Sequence, residues 1–372
     1  MRSAEPSAGH ALAILMDGQV VVDVWGGTAD ARDGRAWSAD TPTVVFSCTK
    51  GLVAIVVARL VQDGLLSYHE PVARYWPEFG VRGKGHITVG DLLAHRAGLP
   101  SFDAPVTFDE MIDGSGLGDR LAAQAPLWDA SKGHSYHPIT YGWLVGELVR
   151  RVSGSSVGHL LRTTVAEPLG ADAWIGAPRS AEDRIAHVRL GEGQAEATAS
   201  LVERAASGDD LPLRSMTLGG ALPPGLVGEG AGADAGFNDP RAHHREIAGA
   251  GGVATASALA TIWSSTVVST GGTRTLHEPV LAEATTPRSW GRQVIDGGPP
   301  YPRFAMGVQL TSEQQPYLTP QSFGHDGAGG QMAFADPVHR LGFAFVTNEM
   351  RGGIDRRAAD LVAAVREVLE PR

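Results

Sequence analysis

Strand-like apolar runs lie near both ends of this 372-residue chain, and the stretch between them has mainly helical patterns. Near the start, apolar residues over 11–27 flank Asp17-Gly18, a dipeptide that favours a tight turn between two strands. A helical pattern over 354–369 closes the chain, after strand patterns at 304–310, 332–335 and 341–348. A sheet that is built from both chain ends, with helices inserted between them, predicts an α+β fold.

The same patterns predict how the chain divides. Residues 1–65 and 250–372 are predicted to form one discontinuous sheet domain, and residues 66–249 a helical domain. Helical patterns are clearest at 91–95, 141–153 and 257–267. The segment from 203 to 250 is rich in Gly, Ala and Pro and has little periodicity, which predicts a long loop with a functional role or disorder.

Composition excludes several classes of protein. The net charge of −10 and the lack of a basic run argue against a nucleic-acid partner. Cys48 is the single cysteine, so neither an intramolecular disulfide nor a zinc site of several cysteines can form. Neither His243-His244 nor His134-x-x-His137 has a familiar zinc spacing, and we expect no metal and no cofactor. The sequence shows no secretory leader and no 18-residue apolar run, which predicts a cytoplasmic protein that does not span a membrane.

The sharpest local signal for chemistry is Ser47-Cys48-Thr49-Lys50, directly ahead of an apolar helical stretch that ends at Gly64. A serine at a helix N-terminus has its hydroxyl where backbone N–H groups favour developing negative charge. Lys50 lies one helical turn later, within reach of that hydroxyl, and burial would lower its pKa so that it accepts the serine proton. The alternative is an N-cap serine followed by a solvated lysine.

A second serine must be weighed as a nucleophile, because residues 154–158 match G-x-S-x-G with Ser156 at the centre. That motif needs a strand before the serine and a helix after it. Here a helical pattern precedes the motif, and Gly154 reads as the glycine that ends this helix. The sequence therefore favours a helix-ending turn.

Two further segments carry candidate site residues. Tyr136-His137-Pro138 lies in a polar loop before the 141–153 helix, and the phenol can act as a base only if a cation such as Lys50 lowers its pKa from about 10. Near the C-terminus, the run 323–330 (Phe-Gly-His-Asp-Gly-Ala-Gly-Gly) precedes an apolar strand. Its glycines would let a strand edge approach a substrate and present a backbone N–H, although a flexible hairpin turn is the alternative.

The order of these motifs resembles the serine β-lactamase and penicillin-binding superfamily, and especially class C β-lactamases and the related family VIII carboxylesterases. The resemblance extends over most of the chain, from about residue 9 to 367, and is weakest at 203–250. Further matching segments are 75–79 (Tyr-Trp-Pro-Glu-Phe), 87–100 (Ile-Thr-Val-Gly-Asp-Leu-Leu-Ala-His-Arg-Ala-Gly-Leu-Pro), 136–154 and 323–337.

The resemblance implies an antiparallel sheet flanked by helices, a helical domain, and an active site in the cleft between them. It implies that Ser47 forms an acyl-enzyme while Lys50 and Tyr136 transfer protons. The backbone N–H groups of Ser47 and Ala328, the latter on the strand after the third motif, would form the oxyanion hole. Residues implied to contact the substrate are His137, His325, Asp326 and Gly327.

Two departures from class C β-lactamases shape the functional prediction. Their Tyr-x-Asn ends here in Pro138, and their Lys-Thr-Gly is His325-Asp326-Gly327, which removes the cation that would hold a β-lactam carboxylate. The sequence therefore predicts a carboxylesterase for small or medium acyl esters. The alternatives are a transacylase with an alcohol or amine acceptor, a weak β-lactamase or D-peptidase, and a non-catalytic binding protein on the same fold.

Overall fold

The structure is a computed structural model that describes residues 8–295 and 297–369. Its strands are β1 (His10–Met16), β2 (Gln19–Gly26), β3 (Thr28–Asp30), β4 (Arg35–Ala36), β5 (Thr43–Val44), β6 (Ala173–Ile175), β7 (Arg189–Leu190), β8 (Gly252–Ala254), β9 (Arg303–Phe304), β10 (Gln309–Leu310), β11 (Phe323–Gly327), β12 (Gln331–Asp336), β13 (Leu341–Thr347) and β14 (Glu349–Met350). Its α-helices are α1 (Cys48–Gln62), α2 (Val72–Tyr75), α3 (Val89–Leu93), α4 (Phe108–Asp113), α5 (Leu117–Ala123), α6 (Tyr141–Ser153), α7 (Val157–Leu161), α8 (Glu167–Leu169), α9 (Gln194–Ala206), α10 (Leu211–Thr217), α11 (Pro240–His243), α12 (Ala256–Val267), α13 (Glu278–Ala284) and α14 (Arg357–Leu369). Within the described residues, none of these helices has both the length and the apolar composition that crossing a bilayer requires.

A seven-stranded antiparallel sheet in the order β2-β1-β13-β12-β11-β10-β9 forms the centre of the molecule. Strand β1 from the start of the chain pairs with β13 from its end, with His10 opposite Thr347. The sheet thus takes its strands from both chain ends, which confirms the predicted α+β fold. The division of the chain into two domains stays a prediction.

Helices cover both faces of this sheet, and β13 shows how the sequence allows it. Leu341, Phe343 and Phe345 pack in the cluster beneath α14, while the small residues between them face α12. At Gly342 the approach is so close that a Cβ would lie 2.2 Å from the carbonyl oxygen of Ala260. Because both faces are buried, β13 reads as a continuous apolar run instead of an alternating one.

The structure corrects two details of the predicted elements. The run 304–310 is two short strands, β9 and β10, because Gly307 adopts a φ of +89° and the chain turns back between them. The segment 203–250 is not one long loop, since it contains the end of α9, all of α10 and the short helix α11. The Ala, Glu and Arg content of 194–206 favours a helix, and the Gly/Pro richness of the later residues hid that signal.

Candidate active site

Ser47 lies in the tight turn between β5 and α1. Strand β5 is fixed by pairing with β8, where Thr43 lies opposite Ala254. Phe46, directly before the serine, has a φ of +42°. Residues other than glycine rarely adopt this left-handed backbone conformation, and those that do are concentrated at functional sites. Ser47 occupies the N-cap position of α1, yet its side chain makes no capping hydrogen bond. Its hydroxyl is therefore not used by the helix.

Lys50 lies one turn along α1 and points back to that hydroxyl. Its Nζ is 3.1 Å from Ser47 Oγ, and the side chain is completely buried. Its other two hydrogen-bond partners are backbone carbonyl oxygens, those of Pro138 and Gly249, each 2.6 Å from Nζ. Burial holds the pKa of the Lys50 ammonium well below its usual value of 10.5. A solvated lysine, the alternative considered above, is wrong.

The two carbonyl groups form a cradle for Lys50. This cradle can form because the two backbone segments that carry the carbonyl groups are in direct contact at glycines. A Cβ at Gly142, in the first turn of α6, would lie 2.4 Å from the backbone nitrogen of Gly249. A Cβ at Gly249 would lie 2.5 Å from the carbonyl oxygen of Ile139. Neither contact leaves room for a side chain. Pro138, which lacks the side-chain amide of class C enzymes, thus contributes to the site through its backbone.

Tyr136 shares a hydrogen bond with the Ser47 side chain. The Nζ of Lys50 is 4.7 Å from the centre of its ring. The ring stacks on Phe304 with centroids 5.9 Å apart. Burial raises the pKa of Tyr136 well above 10 and outweighs the lowering by its hydrogen bond to Ser47, so the lowering by Lys50 that the sequence predicted is not found. Tyr136 is therefore held as a neutral phenol.

Two histidines pack beside Tyr136 and support its position. The sequence did not predict this structural role for either of them. His137 has both ring nitrogens occupied, with Nδ1–H donating to the Ser135 carbonyl (2.7 Å) and Nε2 accepting from the Leu99 N–H (3.0 Å). Burial lowers its pKa to about 3. With both ring nitrogens bound to backbone groups, the imidazole has no hydrogen bond left for a substrate, and the predicted substrate contact of His137 stays a prediction. His95, which has a φ of +64°, accepts a hydrogen bond from the backbone N–H of His137 through its Nδ1. The centre of its ring lies 4.7 Å from the centre of the Tyr136 ring.

Strand β11 brings the third motif against the start of α1. The Cys48 thiol donates to the carbonyl oxygen of His325 at 3.1 Å, and a Cβ at Gly327 would lie 2.5 Å from the Val45 carbonyl oxygen. The imidazole of His325 donates from Nδ1 to the Asp326 carbonyl (2.7 Å), and burial lowers its pKa to about 3. His325 is thus a neutral group. Ala328 lies in the turn after β11 and not on a strand, which corrects the prediction.

Asp326 takes part in a separate buried network. Its Oδ1 accepts a hydrogen bond from the Tyr317 hydroxyl at 2.9 Å, and its backbone N–H donates to Gln309 Oε1 at 2.7 Å. Burial raises the pKa of Asp326 to about 7. The carboxyl is therefore hydrogen-bonded to Tyr317, which packs in the cluster beneath α14. At neutral pH the carboxyl is ionised in a fraction of the molecules.

Ser156 has a structural role in the fold. It caps α7 by accepting the His159 N–H at 3.2 Å, and its hydroxyl donates to Glu246 Oε1 at 2.6 Å. Helix α6 precedes it and ends at Gly154 with a φ of +71°. The predicted helix-ending turn is confirmed. Within the described ranges, no cluster of three His, Cys, Asp or Glu side chains is arranged to hold a metal ion.

Comparison with known proteins gives consistent matches. Residues 4–367 match the protein family described as Beta-lactamase. The Esterase/beta-lactamase LipL of Mycobacterium tuberculosis is 36% identical over 359 residues, which cover 92% of this chain and 77% of that protein. A crystal structure of a family VIII carboxylesterase superposes with a TM-score of 0.84 at 32% identity, covering 96% of this chain and 92% of the other. A penicillin-binding protein homologue from Caulobacter crescentus gives a TM-score of 0.81 at 33% identity, with coverage of 96% and 92%.

Proposed function

The chain belongs to the Beta-lactamase family and is a serine hydrolase of that fold, and we propose that it is a carboxylesterase that forms an acyl-enzyme on Ser47. One observation carries the proposal: the hydroxyl of Ser47, which does not cap its helix, faces a buried amine whose two other partners are both carbonyl oxygens. The esterase names of a relative and of a structural neighbour support an ester as the substrate. We infer a small or medium acyl ester.

Lys50 is the proposed general base. A neutral amine has two N–H donors and one lone pair, and a carbonyl oxygen can only accept. Pro138 and Gly249 therefore take the two N–H groups, which leaves the lone pair directed at the Ser47 hydroxyl. As Oγ attacks the ester carbonyl carbon, its proton passes to Nζ. A positioned base of this kind typically contributes 10²–10⁴-fold to the rate, as an order of magnitude.

Tyr136 is the proposed general acid for the leaving alcohol. Since its pKa is raised, it carries its proton at neutral pH and can donate it as the C–O bond to the leaving group breaks. The Lys50 ammonium formed in the first step then returns a proton to the phenolate. In deacylation a water molecule replaces the alcohol, and the same transfers run in reverse to release the acid and restore Ser47.

The backbone N–H groups of Ser47 and Ala328 are the proposed oxyanion hole, and each such donor is typically worth ~3 kcal/mol of transition-state stabilisation. His325 and Gly327 are the proposed substrate contacts of β11. Because His325 is neutral and Asp326 carries a partial negative charge, this edge of the site offers no cation for an anionic substrate. We therefore propose uncharged esters in preference to β-lactams.

The experiment that tests the proposal compares two serine variants with p-nitrophenyl butyrate as substrate. Ser47→Ala is expected to abolish turnover because it removes the nucleophile. Ser156→Ala is the matched control: it should stay active while losing roughly 0.5–2 kcal/mol of stability, because it removes a helix cap. Turnover by Ser47→Ala, or a folded but inactive Ser156→Ala enzyme, would contradict the assignment.

A further inference from the structure

Arg357, the first residue of α14, lies against the turn that connects β11 to β12. One terminal nitrogen of its guanidinium donates to the carbonyl oxygens of Gly329 and Glu349, both at 2.9 Å. Its Nε is 3.0 Å from both carboxylate oxygens of Asp355. The Arg357 and Asp355 side chains are only 16% and 9% exposed, so this pair is largely shielded from water. A largely shielded arginine with two carbonyl partners is a geometrically specific clamp.

The β11–β12 turn contains two glycines in a left-handed conformation and packs closely against its neighbours. Gly329 and Gly330 adopt φ values of +83° and +89°, a region that glycine adopts readily because it has no Cβ. A Cβ at Gly330 would lie 2.1 Å from the Asp355 carboxylate, and a Cβ at Gly329 would lie 2.8 Å from Met350. Glycine is thus needed for close contact, and contacts from outside the turn must supply its rigidity.

The turn begins with Ala328, whose N–H is the second donor of the proposed oxyanion hole. On its other side, the buried Gln331 donates from Nε2 to the Val44 carbonyl at 2.8 Å, three residues before Ser47. The turn is therefore held from two directions, by Gln331 toward the nucleophile and by Arg357 toward α14. An oxyanion donor is effective only when it is fixed in advance at hydrogen-bond distance from the developing charge.

We propose that Arg357 is a positioning residue of the oxyanion hole, which keeps the Ala328 N–H in place through its bond to the Gly329 carbonyl. This inference rests on the proposed function, since it assigns Ala328 to the oxyanion hole. Arg357 touches no substrate atom; it acts through the turn. Loss of the clamp leaves the two glycines free to rotate, so the transition state loses a fixed donor while ground-state binding changes little.

A matched control lies on the same helix. Arg366 also donates to two backbone carbonyls, those of Leu318 (3.0 Å) and Tyr317 (2.6 Å), which lie in the loop before β11 and not in the β11–β12 turn. Arg366→Gln therefore removes the same kind of clamp between α14 and the sheet. It should lower thermal stability to a similar degree as Arg357→Gln without loosening the turn.

The test measures kcat and KM for p-nitrophenyl butyrate together with amide hydrogen exchange in the peptide spanning 323–334. Arg357→Gln should lower kcat roughly 10- to 100-fold with KM within about threefold, because a misplaced donor costs transition-state binding. Exchange in the peptide should accelerate. Arg366→Gln should keep kcat and exchange near those of the wild type. Arg357→Lys, which retains the charge but not the planar fork, should fall between wild type and Arg357→Gln, and it replaces Arg357→Gln if the latter does not fold.

Wild-type kcat and exchange in a folded Arg357→Gln enzyme would overturn the proposal, as would equal losses in the Arg357 and Arg366 variants. The exchange measurement needs no substrate. If the wild type hydrolyses no ester, the proposed function fails, while the exchange comparison still decides whether Arg357 holds the turn.

Discussion

The carbonyl cradle of Lys50 can be tested by adding a single methyl group. Gly142→Ala places a Cβ 2.4 Å from the Gly249 nitrogen, whereas ordinary contacts begin at 3.4 Å. The segment that holds Gly249 must therefore move by ~1 Å, which takes its carbonyl oxygen out of hydrogen-bond range of Nζ. Misplacement of that size in a catalytic array costs about 10²-fold. We expect a fall in kcat of that order.

The same variant should lose about 0–2 kcal/mol of stability and remain folded. Overpacking a tight contact costs about 1–3 kcal/mol, and replacing glycine by alanine inside a helix returns about 0.8–1 kcal/mol. Gly146, one turn further along α6, provides the control because a Cβ there would meet nothing within 4 Å. Gly146→Ala should gain roughly 0.8–1 kcal/mol and keep full activity.

The assay is steady-state hydrolysis of p-nitrophenyl butyrate by both variants, with urea unfolding to measure their stability. A selective loss of kcat in Gly142→Ala supports the cradle. If Gly142→Ala is folded and its kcat stays within about threefold of wild type, far from the 10²-fold loss that a misplaced catalytic group entails, the two carbonyl groups do not orient the lone pair of Lys50.

Three more outcomes are expected. Lys50→Met should lower kcat by roughly 10²–10⁴-fold. Because burial lowers the pKa of Lys50 in the folded state, the unfolded chain binds more protons below pH 10.5, so the lysine's contribution to stability falls as pH drops below that value, and thermal unfolding should detect the loss of this contribution in the variant. Burial raises the pKa of Asp326 to about 7, so the folded carboxyl keeps a proton that the unfolded one loses near pH 3.8, and its contribution to stability should fall as pH rises between these values. The melting temperature of Asp326→Asn should therefore rise relative to that of wild type between pH 5 and pH 8, and an unchanged offset between the two proteins would refute the raised pKa of Asp326. Nitrocefin should be hydrolysed at least ~100-fold less efficiently than p-nitrophenyl butyrate, because each missing charged contact typically costs 1.5–3 kcal/mol; comparable efficiencies would show that the neutral His325 does not exclude anionic substrates.

Local patterns predicted those parts of the fold that local chemistry determines. The hairpin of β1 and β2 was predictable because Asp17 and Gly18 both adopt positive φ, +51° and +75°, as a type I′ turn requires. Helix α6 was predicted at its observed bounds, from its apolar face and Gly154. The split of 304–310 into two strands was not, because nothing in that apolar run marks Gly307 as a turn. The cytoplasmic location stays a prediction.

The site was predictable only where side-chain identity carries its chemistry. The contact between Ser47 and Lys50 follows from helical spacing, while Tyr136 could be joined to them only through the family resemblance. The carbonyl groups of Pro138 and Gly249 left no signal, since any residue has a carbonyl group. The backbone hydrogen bonds of His137 left no signal for a related reason: a histidine whose two ring nitrogens bind backbone groups looks the same in sequence as one that faces a substrate.

The most direct test of the account is mass spectrometry of the protein after rapid acid quenching of its reaction with p-nitrophenyl butyrate, with and without an added amine. We expect a butyryl adduct on the peptide that contains Ser47, and no such adduct in Ser47→Ala. Water should discharge this adduct at the rate of turnover whether or not the amine is present. An adduct that only the amine discharges would make the protein a transacylase. An adduct on another residue, or turnover by Ser47→Ala, would show that Ser47 is not the nucleophile.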